Sequence, residues 1–159
     1  DDSRDDGWLG VSLYARNLAG DPMAAPPPVD LDAERRNGLF IQDRIASGAI
    51  AAAHDIGDGG LAVAVAEMCM AGRVGAHIDL PAEGNRHGWA FGEDQARYVV
   101  VTDDAAGLLA AARDAGVPAA AIGSTRDGGE LQFGDEAAIS VEELRALVEA
   151  TIPNLMQGG

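Results

Sequence analysis

The stretch AAAHDIGDGGLAVAVAEMCMAG, residues 51–72, decides how the chain is read. A short run of small apolar residues ends at His54-Asp55, and Gly57, Gly59 and Gly60 then fall within four positions. An apolar segment follows, with Glu67 as its one charge. Strand, glycine turn and helix in that order make an anion site. Glycines let the backbone approach a ligand closely, and the free N–H groups of the first helical turn point at it. A helix over 60–71 that is apolar nearly all round must be covered on most sides.

The two aspartates of the turn admit two readings. Asp55 and Asp58 fit a magnesium–phosphate ligand, because Mg²⁺ favours one or two carboxylates together with phosphate oxygens. Equally, Asp55 caps the turn and Asp58 caps the helix, and capping is the preferred reading of Asp58. A dinucleotide site is a third possibility, since Gly57-x-Gly59-x-x-Ala62 fits the fingerprint spacing and Asp79 lies about 20 residues on. Asp58 argues against it by placing a carboxylate where a pyrophosphate would sit.

Working outward, 159 residues suit one domain. Hydrophobic residues make up 47% but aromatics only 4%, so close helix-on-sheet packing is expected rather than a bulky core. The formal charge of −15 disfavours nucleic acid and anionic membrane as partners. Cys69 is alone, so no internal disulfide is possible, and a reducing cytoplasmic location is expected. The opening DDSRDDGWLG has neither a basic nor an apolar region of signal-peptide type, and with no initiator Met the chain reads as a fragment.

The four prolines of DPMAAPPPVD, 21–30, form a stiff extended connector. Residues 1–29 read as the tail of a preceding domain plus linker, and 30–159 as the domain proper. The expected elements are a helix from Asp30 or Asp32 to Gly48, with Leu39, Phe40, Ile41 and Ile45 facing inward, and a buried strand over 49–55. After helix 60–71 come a strand stopped by Pro81, a loop over 82–95, a strand over 96–103, and a helix over 104–116. Two strands joined by Asp127-Gly128-Gly129 precede a helix boxed by Ser140 and Glu143 and ended by Pro153. Strands and helices interleave without a strict βαβ rhythm, which predicts an α/β (α+β) fold: a mixed sheet flanked by helices.

Other polar residues carry plainer expectations. His54 hydrogen-bonds the next loop, His77 and His87 have no partner at metal spacing, and Cys69, Met68 and Met70 are core. Trp89 anchors its loop. Glu93-Asp94-Gln95 is, from the residues alone, a solvated loop end.

HDIGDGGLAVAVAEM resembles the HD-[ILV]-S-[DE]-GG-L-A-V-A-L-A-E signature of phosphoribosylformylglycinamidine synthases, the large synthetase of purine synthesis. LGVSLYAR is similar to the family's LGQSLYLR-type segment, DLDAERRNGLFIQDRI to the helix after it, and AFGEDQARYVV to LFGEDQGRYVV. These matches run in order through residues 8–103. The resemblance implies the last C-terminal domain of that enzyme, of the three-layer aminoimidazole ribonucleotide (AIR) synthase-related type. The family is an ATP-dependent carbon–nitrogen ligase. It makes formylglycinamidine ribonucleotide from formylglycinamide ribonucleotide, ATP and glutamine-derived ammonia.

The glycine-turn reading makes Asp55, Gly57, Asp58, Gly59 and Gly60 ligand-facing candidates; the resemblance adds Glu93, Asp94 and Gln95, and it implies no catalytic residue and no metal ligand in this chain. ATP or ADP and Mg would be held mostly by other domains, so the isolated chain is expected to be inactive. Implied partners are those domains, a glutaminase subunit and a small bridging subunit. Gly57 departs from the family's usual Ser, which removes a hydroxyl from the turn. The alternatives are another ATP-dependent relative, such as an AIR synthetase or selenophosphate synthetase, or a non-catalytic docking domain using helix 60–71.

Overall fold

The computed structural model describes residues 8–19 and 26–157. Residues 1–7 and 20–25, part of the expected tail and proline-rich connector, lie outside them. The chain divides into two units: one runs as far as Val65 and resumes over Pro81–Ala121, and the other comprises Ala66–Leu80 and Ile122 onward.

In the first unit, a 3₁₀ turn at Leu9–Val11 and a π-helical turn at Ala15–Ala19 precede helix α1, Leu31–Ala46. Asp30 caps α1, its Oδ1 accepting from the Ala33 N–H at 2.9 Å. Gly38 does not interrupt it; a Cβ there would lie 3.3 Å from the Tyr98 hydroxyl, so the missing side chain lets that ring approach. The inward face expected of α1 is only partly formed, with Phe40 and Ile41 half-buried. None of its residues is buried, and Leu39 and Ile45 are exposed.

Strand β1, Ala52–Asp55, pairs antiparallel with β3, Tyr98–Val101, in the register Ala52 to Val101 and Asp55 to Tyr98. The expectation of a buried β1 is corrected: three of its four residues are exposed. Its alanines read as apolar, yet their short side chains bury little surface in a two-stranded ladder. The expected loop over 82–95 contains a further helix, α3, Arg86–Phe91, capped by Asn85, whose Oδ1 accepts from the Gly88 N–H at 3.1 Å. Helix α4, Ala105–Asp114, is capped by Asp104, whose Oδ1 accepts from the Gly107 N–H, and closes at Gly116 in the left-handed region.

Helix α2, Gly60–Gly72, starts in the first unit and ends in the second. One face of it is covered, with Leu61, Ala64, Val65 and Cys69 buried, while Val63 and Glu67 stay exposed, so the cover on most sides that its composition suggested is only partly met.

The second unit holds a four-stranded mixed sheet in the order β4-β2-β5-β6: Gly123–Arg126, Gly75–Ile78, Glu130–Phe133 and Ile139–Ser140. The turn 127–129 joins β4 to β5, but the two do not pair with each other. β2 lies between them, antiparallel to β4 and parallel to β5. The apolar β2, with Ala76 and Ile78 buried, takes the centre, while β4, Gly-Ser-Thr-Arg and exposed throughout, takes the edge.

Helix α5, Val141–Gln157, has the Glu143 N–H donating to the Ser140 hydroxyl at 3.4 Å. It runs through Pro153 rather than stopping there. The proline removes one donor to the carbonyl four residues back, and Glu149, which carries that carbonyl, is exposed to water.

Candidate functional site

The glycine turn lies where β1 hands the chain to α2. Gly59 and Gly60 are both buried and both at positive φ, +83° and +70°. The crowding around them comes from the protein itself. A Cβ on Gly60 would sit 2.6 Å from the carbonyl carbon of Phe91 and 2.8 Å from the carbonyl oxygen of Gly92. One on Gly59 would sit 2.4 Å from a methyl of Val63. These glycines therefore admit the chain's own backbone and side chains.

The turn's amides have internal partners as well. The Gly59 N–H donates to Glu93 Oε1 at 2.8 Å, and the Gly60 N–H donates to the Gly57 carbonyl at 3.0 Å. The same Glu93 oxygen accepts from the Leu13 N–H at 2.8 Å. A carboxylate beside the start of α2 also sits favourably at the positive end of the helix dipole.

Of the eight predicted residues, the fold brings Gly59, Gly60 and Glu93 into one hydrogen-bonded and packed group. Asp94 is mostly buried and pairs with Arg97. Asp55, Gly57, Asp58 and Gln95 are exposed. Around Gly57 a Cβ would meet nothing within 4 Å, so the family's Ser would fit here without displacing anything. His54 Nδ1 lies 2.6 Å from the carbonyl oxygen of Asp55, its neighbour at the end of β1.

Four residues missed by the sequence reading brace this region. Arg97 pairs with Asp94 and reaches the Trp89 carbonyl at 3.5 Å. Asn37 Nδ2 donates to the Ala96 carbonyl at 2.9 Å. The Tyr98 hydroxyl donates to Glu34 at 2.9 Å. Burial, then that hydrogen bond, then the charges of Glu34 and Asp55 raise the Tyr98 pKa above its ordinary value. No spacing rule links α1 to β3, so only the fold could reveal these pairs. Ala96 itself is left-handed, φ +62°, at the place where the family segment has Gly. That signal was present in the sequence.

The residues do not fit a closed magnesium–phosphate cradle at this turn. Two of its amides are engaged, and the Glu93 carboxylate occupies the place where a phosphate would accept. Among the described residues, no group of three or more His, Cys, Asp or Glu side chains could hold a metal ion. A separate surface cleft of about 340 Å³ is lined in part by Arg44, Thr102, Asp103 and Asp104, at the other end of the β1–β3 ladder. No helix of the described residues is long and apolar enough to cross a membrane.

Comparison with known proteins places these features in a lineage. The model of the AIR synthase related protein, C-terminal domain, matches residues 4–136. The phosphoribosylformylglycinamidine synthase subunit PurL of Methylocella silvestris is 52% identical over 153 residues, 95% of this chain and 21% of the relative. Its counterpart from Rhodopseudomonas palustris is 46% identical over 96% of this chain, again 21% of its own length. The chain thus spans about a fifth of the curated relatives it matches. Among solved structures, Thermotoga maritima PurL complexed with FGAR superimposes with a TM-score of 0.69. It covers 88% of this chain and 26% of that one at 22% identity, a likeness of fold. The mixed α/β architecture is the one this likeness requires, and the chain belongs to the AIR synthase related protein family as a C-terminal domain.

Proposed function

We propose that the chain serves as the C-terminal domain of a phosphoribosylformylglycinamidine synthase large subunit. The whole enzyme would convert formylglycinamide ribonucleotide, ATP and glutamine-derived ammonia into formylglycinamidine ribonucleotide. The supporting observation is the 52% identity to a PurL subunit across 95% of this chain. In this reading ATP and Mg²⁺ are handled by other domains of the longer protein. A glutaminase subunit and a small bridging subunit deliver ammonia to it in the cytoplasm.

Within that enzyme this domain contributes a wall rather than a catalytic group. Its exposed residues at the turn, Asp55, Gly57, Asp58 and Gln95, are the ones available to a ligand held by a neighbouring domain. Gly59, Gly60, Glu93 and Asp94 support them from beneath. The test has two arms. The 159-residue chain alone should give no ATP-dependent conversion of the ribonucleotide; conversion by it would overturn the domain reading. In a full-length relative, Asp58→Arg should raise the KM for ribonucleotide or nucleotide, and an unchanged KM would remove the wall role.

A docking role within the same synthetase is the second reading, and α5 favours it. Leu147, Val148, Ile152, Leu155 and Met156 form an exposed stripe at i, i+4 spacing. Thr151, which lies within it, returns its hydroxyl to the Leu147 carbonyl. The helix first expected to dock, α2, has Leu61, Ala64, Val65 and Cys69 buried and offers Val63 alone of its large apolar residues as exposed.

A further inference from the structure

Three separate segments meet at the Glu93 side chain. Its Oε1 accepts from Leu13, which lies ahead of α1, and from Gly59, in the turn ahead of α2. Glu93 itself lies in the link between α3 and β3. Two contacts that do not involve its carboxylate join the same three segments. Tyr14, next to Leu13, stacks on Phe91 with ring centroids 4.6 Å apart. Gly60 packs against the Phe91–Gly92 backbone too closely for any Cβ.

We infer that Glu93 is the chain's own anion for the glycine turn: a positioning residue that occupies the donor site a phosphate would use and fastens residues 12–14 to residues 57–60. A carboxylate that accepts from two backbone N–H groups is a charge-assisted acceptor, stronger than a neutral one. A phosphate brought to the same amides would have to displace it or face like charge at hydrogen-bonding distance. The turn keeps the geometry of an anion site while the bound anion is intramolecular. This goes beyond the proposed function, since it holds whatever the rest of the longer enzyme does.

The experiment is residue-resolved amide exchange on the full 159-residue chain, with a phosphate titration beside it. Glu93→Ala should speed exchange at both Leu13 and Gly59 at least tenfold and leave Ala76, in β2, unchanged. Glu93→Gln, whose amide oxygen still accepts, should restore most of the protection at both. In the unaltered chain, millimolar inorganic phosphate should leave the Gly59 and Gly60 amide signals in place. The inference is overturned if Leu13 and Gly59 respond separately, if Gln protects no better than Ala, or if phosphate shifts Gly59 in the unaltered chain. The titration decides the matter even where Glu93→Ala does not fold.

Discussion

Two glycine turns of this chain look alike in the sequence and behave differently. At 57–60 the backbone is enclosed: Gly59 and Gly60 are buried, their N–H groups are engaged, and other atoms lie where a Cβ would go. At 127–129 the turn is open, and Cβ atoms on Gly128 or Gly129 would meet nothing within 4 Å. Both use positive φ, so the left-handed conformation explains why glycine stands in each. It does not explain why the first could tolerate nothing else. There the limit is the Phe91–Gly92 backbone, which cannot move aside as the end of a side chain can.

That contrast can be broken by substitution. Gly60→Ala combines left-handed strain with a backbone clash. It should cost about 3 kcal/mol or more, read as a lowered denaturant midpoint. A cost near 1 kcal/mol would mean the enclosure is soft. Gly129→Ala meets only the strain, partly offset by the lower entropy of its unfolded chain, and should cost about 1 kcal/mol. Ala96→Gly runs the other way. It relieves the left-handed alanine beside the enclosed turn and should gain about 0.5–1 kcal/mol; a loss would show that the Ala96 methyl makes a packing contact worth more than the strain.

Smaller effects sharpen the picture of the exposed side of the first turn. Gly57→Ser has space and an ordinary φ, so stability should change by no more than about 0.5 kcal/mol. A large loss would mean that space is filled. Tyr98 reports on charge near the turn, because it stands opposite Asp55 in the ladder and donates to Glu34. Its raised pKa favours the neutral phenol in the folded chain. The associated stability is fully present below the ordinary tyrosine pKa, near 10, and is lost as pH rises through the higher folded value. Glu34→Gln, in a Tyr14→Phe background, should lower the midpoint of phenolate absorbance. An unmoved midpoint would leave burial and the charge of Asp55 as the causes.

Much of the fold was legible because it rests on local chemistry. Asp30 and Ser140 both begin helices where their cap chemistry placed them. The largely apolar α2 buries the face that carries Leu61, Ala64, Val65 and Cys69. Errors came where a local rule met a tertiary choice. The turn at 127–129 joins two strands as expected, but it does not pair them, because β2, distant in sequence, lies between. Pro153 signalled an end that exposed backbone did not enforce. Asn85 was a usable cap signal for α3, obscured by Gly88 and the helix's short length.

For the site, the sequence by itself determined the ingredients: a strand, a turn that only glycine can make, a largely apolar helix behind it, and an acidic segment further on. Only the tertiary structure decided what the turn holds. Local propensity fixes which backbone N–H groups point outward, but not which acceptor arrives. Residues 13, 59 and 93 come together through packing between distant segments, and so the acid that looked ready to face a ligand became the partner of the turn itself.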